Sequence, residues 1–97
     1  MARGLEAMPV GSSEDEDDAL RALLADTLGL APARVAAFTP GTALFGSLPE
    51  FDSMAVANLL TGIEERFHLI IEDDDAEAED FLTYGSLAAF VARLTAR

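Results

Sequence analysis

The sequence predicts an all-α fold, a small bundle of three main helices plus one short helix, on three observations. Apolar residues recur at three- and four-residue steps in three separate stretches. Alternation with period two is nowhere sustained, which argues against a sheet. Serine, threonine and glycine stand where helices would start and stop. With 97 residues, 51% of them hydrophobic, the chain is long enough for one domain with a single modest core.

Residues 1–12 mix glycine, proline, serine and small residues without periodicity, and read as a flexible leader to a helical domain over 13–97. In "SSEDEDDAL", Ser13 followed three residues later by Glu16 has the form of a capping box. The acids Glu14 to Asp18 fall in the first turn, where the helix dipole favours negative charge. Leu20, Leu23, Leu24, Thr27 and Leu28 continue the first helix, and Gly29 can end it.

The stretch "LAPARVAAFTPGTALFGSLPE" holds three prolines and two glycines, so it cannot be one long helix. It also carries Leu30, Val35, Phe38, Leu44, Phe45 and Leu48, which predicts a loop packed on the core, with a short turn near Ala33 to Ala37. The second main helix is expected from Ser53 to about Phe67. Its apolar stripe is read as Met54, Ala57, Leu60, Ile63 and Phe67, widened by Val56 and Leu59. "IIEDDDAEAEDFLTYGSL" then turns acidic, with room for the short helix around Ala76 to Phe81. Thr83 is placed to cap a last helix, in which Leu87, Phe90, Val91 and Leu94 follow the i, i+3, i+4, i+7 pattern.

Charge narrows the function. The formal net charge is -12, from 18 acidic residues against 6 arginines. Nucleic-acid binding is disfavoured, because phosphates need cationic neutralisation. Docking on basic partner surfaces suits this balance, since opposite fields speed encounter. No cysteine is present, which excludes disulfides, thiolate metal sites and thiol nucleophiles. No apolar run approaches the ~20 residues of a membrane span. The start "MARGLEAMPV" lacks the uninterrupted apolar region of a secretory signal, so the expectation is a cytoplasmic monomer.

Two chemical readings fail on spacing. Asp73, Asp75 and Glu77 alternate like early EF-hand ligands, but Ala78 stands where the loop needs glycine and Tyr84 where it needs glutamate. No metal site is therefore expected. His68 is the only histidine, and a serine hydrolase would need it beside a serine. On one helix, residues 53 and 68 lie on the order of 20 Å apart, too far to touch. His68 reads instead as a residue at the helix end.

Ser53 remains. It can be a plain helix cap, or a serine presented at a helix start where free N–H groups and the dipole favour a phosphate. No catalytic base stands near it in sequence, so chemistry there would come from another enzyme.

The stretch "FGSLPEFDSMAVANLLTGIEERFHL", with the acidic segment and "TYGSLAAFVARL" after it, resembles the acyl carrier proteins over about residues 14 to 95. In that family an Asp-Ser-Leu motif opens the second helix, and its serine carries 4'-phosphopantetheine through a phosphodiester. The matching residues are Asp52, Ser53 and Met54, with methionine for leucine, a volume-conserving swap. The acidic segment is longer than usual. Ala55 and Asn58 are read as outward positions where many relatives carry acids. The pattern is also similar to carriers that accompany exosortase and exopolysaccharide loci.

The resemblance implies a carrier, not an enzyme. A phosphopantetheinyl transferase would load the arm from coenzyme A onto Ser53, with Mg²⁺, and Asp52 would help position that enzyme or its metal. Acyl-loading and acyl-transfer enzymes, as in fatty acid or polyketide synthesis, would then dock through basic or apolar surfaces. Met54, Val56, Glu64 and Glu65 are the candidate contacts, Glu50 and the acids from Glu72 onward further ones, and Val56 with Leu59 an apolar patch beside the arm. A peptidyl or aminoacyl carrier remains an alternative, as does an acidic helical interaction module in which Ser53 is only a cap.

Overall fold

The computed structural model describes residues 12–96. Their helices are α1 (Ser12–Leu28), α2 (Pro32–Ala36), α3 (Ser53–Phe67), a 3₁₀ helix (Ala78–Phe81) and α4 (Tyr84–Thr95). The three main helices stand where the periodicity places them. The expected short helix is the 3₁₀ helix, and the expected turn near Ala33 is α2. Among the described residues no strand forms; a single antiparallel bridge joins Ala43 to Thr83.

Leu20, Leu24 and Leu28 form the buried face of α1, because four-residue steps return to the same side of a helix. The helix ends at Gly29, whose φ of 69° is open to glycine without a Cβ penalty. The reversal lets the Leu30 N–H donate to the Ala25 carbonyl at 3.0 Å, closing the exposed end of the helix. Ser12 is helical and so belongs to α1, not to a leader. The cap expected of Ser13 rests on a side chain outside the described residues, as does the leader over residues 1–11.

The stripe on α3 is rotated from the expectation. Ala55, Leu59 and Ile63 are buried, whereas Met54 is 70% exposed and Ala57 is exposed. Ala55 is therefore an inward position, and Leu59 is core, not part of a patch beside Ser53. The physical reason is that α3 is apolar around much of its girth. Its own periodicity leaves the facing direction open, and packing on α1 settles it. Gly62 marks that contact: a Cβ there would come within 2.7 Å of a Leu23 methyl.

The long loop is packed as expected, with Leu30, Val35, Phe38 and Leu44 buried. Four backbone bonds strap it to the segment that runs from the end of the 3₁₀ helix into α4. Leu44 N–H donates to Leu82 O (2.7 Å), Phe45 N–H to Phe81 O (3.0 Å), Tyr84 N–H to Thr42 O (2.9 Å) and Gly85 N–H to Pro40 O (2.9 Å). Gly85 is required by that approach, since a Cβ would lie 2.8 Å from the Pro40 carbonyl oxygen.

A polar clasp completes the packing. The Arg21 guanidinium donates to the carbonyls of Val35 (2.8 Å) and Phe38 (3.1 Å), pairs with Asp17 (2.8 Å) and lies 4.5 Å over the Tyr84 ring. The Tyr84 hydroxyl donates to the other Asp17 oxygen. Burial pushes the Asp17 carboxyl up, but its bonds to Tyr84 and Arg21 together outweigh this and hold it below its ordinary value. Burial, and then the bond to Asp17, push the Tyr84 phenol well above its usual range.

Candidate functional site

Asp52, not Ser53, is the cap of α3. Its backbone is extended, and its Oδ1 accepts the Ala55 N–H at 2.9 Å. Ser53 occupies the first helical position, and its side chain is exposed. Among the described residues its hydroxyl has no hydrogen-bond partner. The first amides of a helix lack intrahelical acceptors, so Ser53 Oγ sits at the positive end of α3 with a free hydroxyl. A phosphodiester on that oxygen fits, in charge and in access.

The approach to Ser53 is anchored from the core. Phe51, two residues before it, is 2% exposed and packs edge-on against Phe45 (6.1 Å) and Phe81 (6.5 Å), with Phe81 resting on Phe90 (5.8 Å). This aromatic chain ties the loop before the serine to α4. On the surface, Arg34 pairs with Glu50 at 3.2 Å. A bond from its own backbone N–H, with Arg34 beside it, holds the Glu50 carboxyl below its ordinary value. Glu50 is thus engaged within the chain, which sequence reading did not foresee.

The remaining expected contacts separate. Met54 projects into solvent beside Ser53, and Val56 is half-buried one turn on. Glu64 lies eleven residues beyond Ser53, about 16 Å along the helix axis. It is half-buried and its Oε2 accepts the Ile71 N–H at 2.8 Å, so its carboxylate holds the chain leaving α3. Glu65 is exposed. His68 closes the far end of α3 in a left-handed conformation (φ 56°), with the Leu69 N–H reaching the Glu64 carbonyl at 3.1 Å.

An open groove of about 570 Å³ starts at Ser53 and runs along α3 past Val56, Ala57, Leu60, Thr61 and Glu64. Its far wall is the acidic segment and the 3₁₀ helix, with Ile71, Ala76 and Phe81 supplying apolar surface. The acids of that segment also order it. Asp75 accepts the Glu72 N–H (2.8 Å), Asp80 accepts the Glu77 N–H (2.8 Å), and Arg93 pairs with Asp80 at 3.1 Å. No described group of histidine, cysteine or acidic residues is placed to hold a metal ion. None of the described helices is long and apolar enough to cross a membrane.

Sequence reading missed Phe51, Asp17 and Tyr84. Phe51 could have been found, since it immediately precedes the capping aspartate as a lone aromatic. The Asp17–Tyr84 bond spans 67 residues and has no local signal.

A family model for the phosphopantetheine attachment site matches residues 18–94. No curated protein matches significantly. Among solved structures, the chain is similar to a holo acyl carrier protein from Nitrosomonas europaea determined in solution by NMR. The two are 41% identical with a TM-score of 0.74, over 84% of this chain and 96% of that one. With the free serine at the start of α3 and a match over most of its length, the chain belongs to the acyl carrier protein family, a carrier whose cofactor is covalent 4'-phosphopantetheine.

Proposed function

We propose that Ser53 is the attachment site and that the protein carries an acyl group as a thioester on the arm's terminal thiol. The observation that carries this is the exposed Ser53 hydroxyl at the first position of α3, without a hydrogen-bond partner among the described residues, with capping delegated to Asp52. A phosphopantetheinyl transferase joins Ser53 Oγ to a pyrophosphate phosphorus of coenzyme A. Adenosine 3',5'-bisphosphate leaves, and the hydroxyl proton passes to a base of that enzyme. Asp52, adjacent and exposed, positions the modifying enzyme or its Mg²⁺. The chain itself supplies presentation; the chemistry belongs to the arm and to partner enzymes.

Acyl-loading and acyl-transfer partners meet the surface around Ser53. Met54 and Val56 give an apolar anchor there, supported by the 70% exposure of Met54. Glu65 adds charge at the far end of α3, while Glu64 acts first within the chain. Apolar anchors slow dissociation, whereas surface charge mainly speeds encounter.

The test is incubation of the purified chain with coenzyme A, Mg²⁺ and a broad-specificity transferase, followed by peptide mass mapping. One phosphopantetheinyl group on Ser53, absent from Ser53→Ala, is expected. An arm on another residue, or on folded Ser53→Ala, would refute the assignment.

A further inference from the structure

Ser53 Oγ has no hydrogen-bond partner among the described residues, so its position is inherited from the backbone that leads into α3. That backbone is two short turns followed by a cap. The Leu48 N–H donates to the Leu44 carbonyl at 2.9 Å, and the Phe51 N–H to the Leu48 carbonyl at 3.0 Å. Asp52 is then extended and caps the Ala55 N–H. With only Asp52 between them, the Cα atoms of Phe51 and Ser53 are at most about 7 Å apart.

From Phe45 to Met54, Phe51 alone is buried, at 2% exposure. Its ring stands edge-on to Phe45 (6.1 Å, 87°) and to Phe81 (6.5 Å, 75°). A backbone bond fixes those two to each other, since the Phe45 N–H donates to the Phe81 carbonyl at 3.0 Å. Phe81 in turn rests on the fully buried Phe90. The Phe51 ring is therefore gripped on two sides by a frame that belongs to the core. A side chain of another shape cannot meet both rings at once.

We infer that Phe51 is a positioning residue for loading: its ring, held between Phe45 and Phe81, sets where Ser53 Oγ meets the transferase. In loading, Oγ bonds to phosphorus opposite the departing adenosine 3',5'-bisphosphate, and its proton passes to a base of the transferase. Oγ must reach one line of attack, and a displacement of about 1 Å can cost about 10²-fold in such a step. Met54, Val56 and Glu65 lie beyond Ser53 on α3, so the docking surface stays in place when the ring is cut back. The inference rests on Ser53 carrying the arm, and adds the core residue that aims it.

The experiment measures kcat and KM for the apo chain as substrate of a broad-specificity transferase, with coenzyme A and Mg²⁺. Circular dichroism at the assay temperature establishes that each variant is folded. Phe51→Leu should lower kcat about tenfold to a hundredfold, the cost of a misplaced nucleophile. Its KM should stay within about twofold, the split that marks an interaction realised only in the transition state. Phe90→Leu makes the same change one ring further from the serine, and should leave both constants within about twofold.

A folded Phe51→Leu that loads at the parent kcat overturns the inference. So does a loss confined to KM, which would place Phe51 in docking, and so does an equal loss in Phe90→Leu, which would reflect general loosening of the core. If Phe51→Leu does not fold, Phe45→Leu removes one of the two edges from a position that is 37% exposed. Its kcat should fall about threefold or more and be restored in Phe45→Tyr, which keeps the ring. Parent kcat in Phe45→Leu, or no restoration in Phe45→Tyr, then overturns the inference. A parent chain that accepts no arm at Ser53 overturns the carrier assignment, and this inference with it.

Discussion

Replacing Asp52 should cost stability where replacing Ser53 does not, although both residue types cap helices well. The Asp52 carboxylate accepts the Ala55 N–H at 2.9 Å and lies at the positive end of α3, while Ser53 Oγ makes no hydrogen bond among the described residues. Loss of an N-cap costs about 1 kcal/mol. For a domain of this size that corresponds to a fall of about 4–8 °C in melting temperature. Asp52→Asn keeps the accepting oxygen and loses only the charge–dipole part, about 0.3–1 kcal/mol. Ser53→Ala removes no bond and should stay within about 0.5 kcal/mol of the parent, as exposed substitutions usually do. Thermal melts of the apo chain followed by circular dichroism rank the three variants. A loss in Ser53→Ala as large as that in Asp52→Ala would make the serine the cap and refute this assignment. The same set separates stability from modification: Ser53→Ala should stay folded and unmodified, and Asp52→Ala should retain its serine.

The clasp between α1 and α4 has a pH signature. Asp17 is held below its ordinary value of 3.8, so its contribution is fully present above about pH 4 and drains away as pH falls below that. Its side chain is 42% exposed, so solvent screening limits the bond from Tyr84 to about 1 kcal/mol. Tyr84→Phe should therefore melt a few degrees below the parent at pH 6, with the gap narrowing towards pH 3; a gap that is constant or grows on acidification counts against the clasp. Two glycine variants should diverge. Gly85→Ala places a Cβ 2.8 Å from a backbone oxygen that cannot yield, and should cost about 1–3 kcal/mol in a denaturant titration. In Gly62→Ala the close atom is a Leu23 methyl, and about 1 kcal/mol of helix propensity is gained, so the net change should be near zero. Equal losses from both would show that the Pro40 strap is looser than its geometry.

Much of this protein was legible in the chain alone, for reasons that are local. Helix spacing, Gly29 as a stop, and Thr83 as the cap of α4 all act within a few residues, and Thr83 does accept the Ser86 N–H at 3.0 Å. The bounds of α3 and the serine at its start were readable for the same reason. The tertiary structure decided three other things. Several apolar residues spread around α3 left its facing direction undetermined, and packing on α1 chose Ala55, Leu59 and Ile63 as the inner face. The cap passed from Ser53 to Asp52, because two adjacent residues could each accept an amide and only the backbone path through the Phe51 anchor selects between them. Asp17, Arg21 and Tyr84 met because folding closes a separation of 67 residues, and a bond of that kind leaves no trace in spacing.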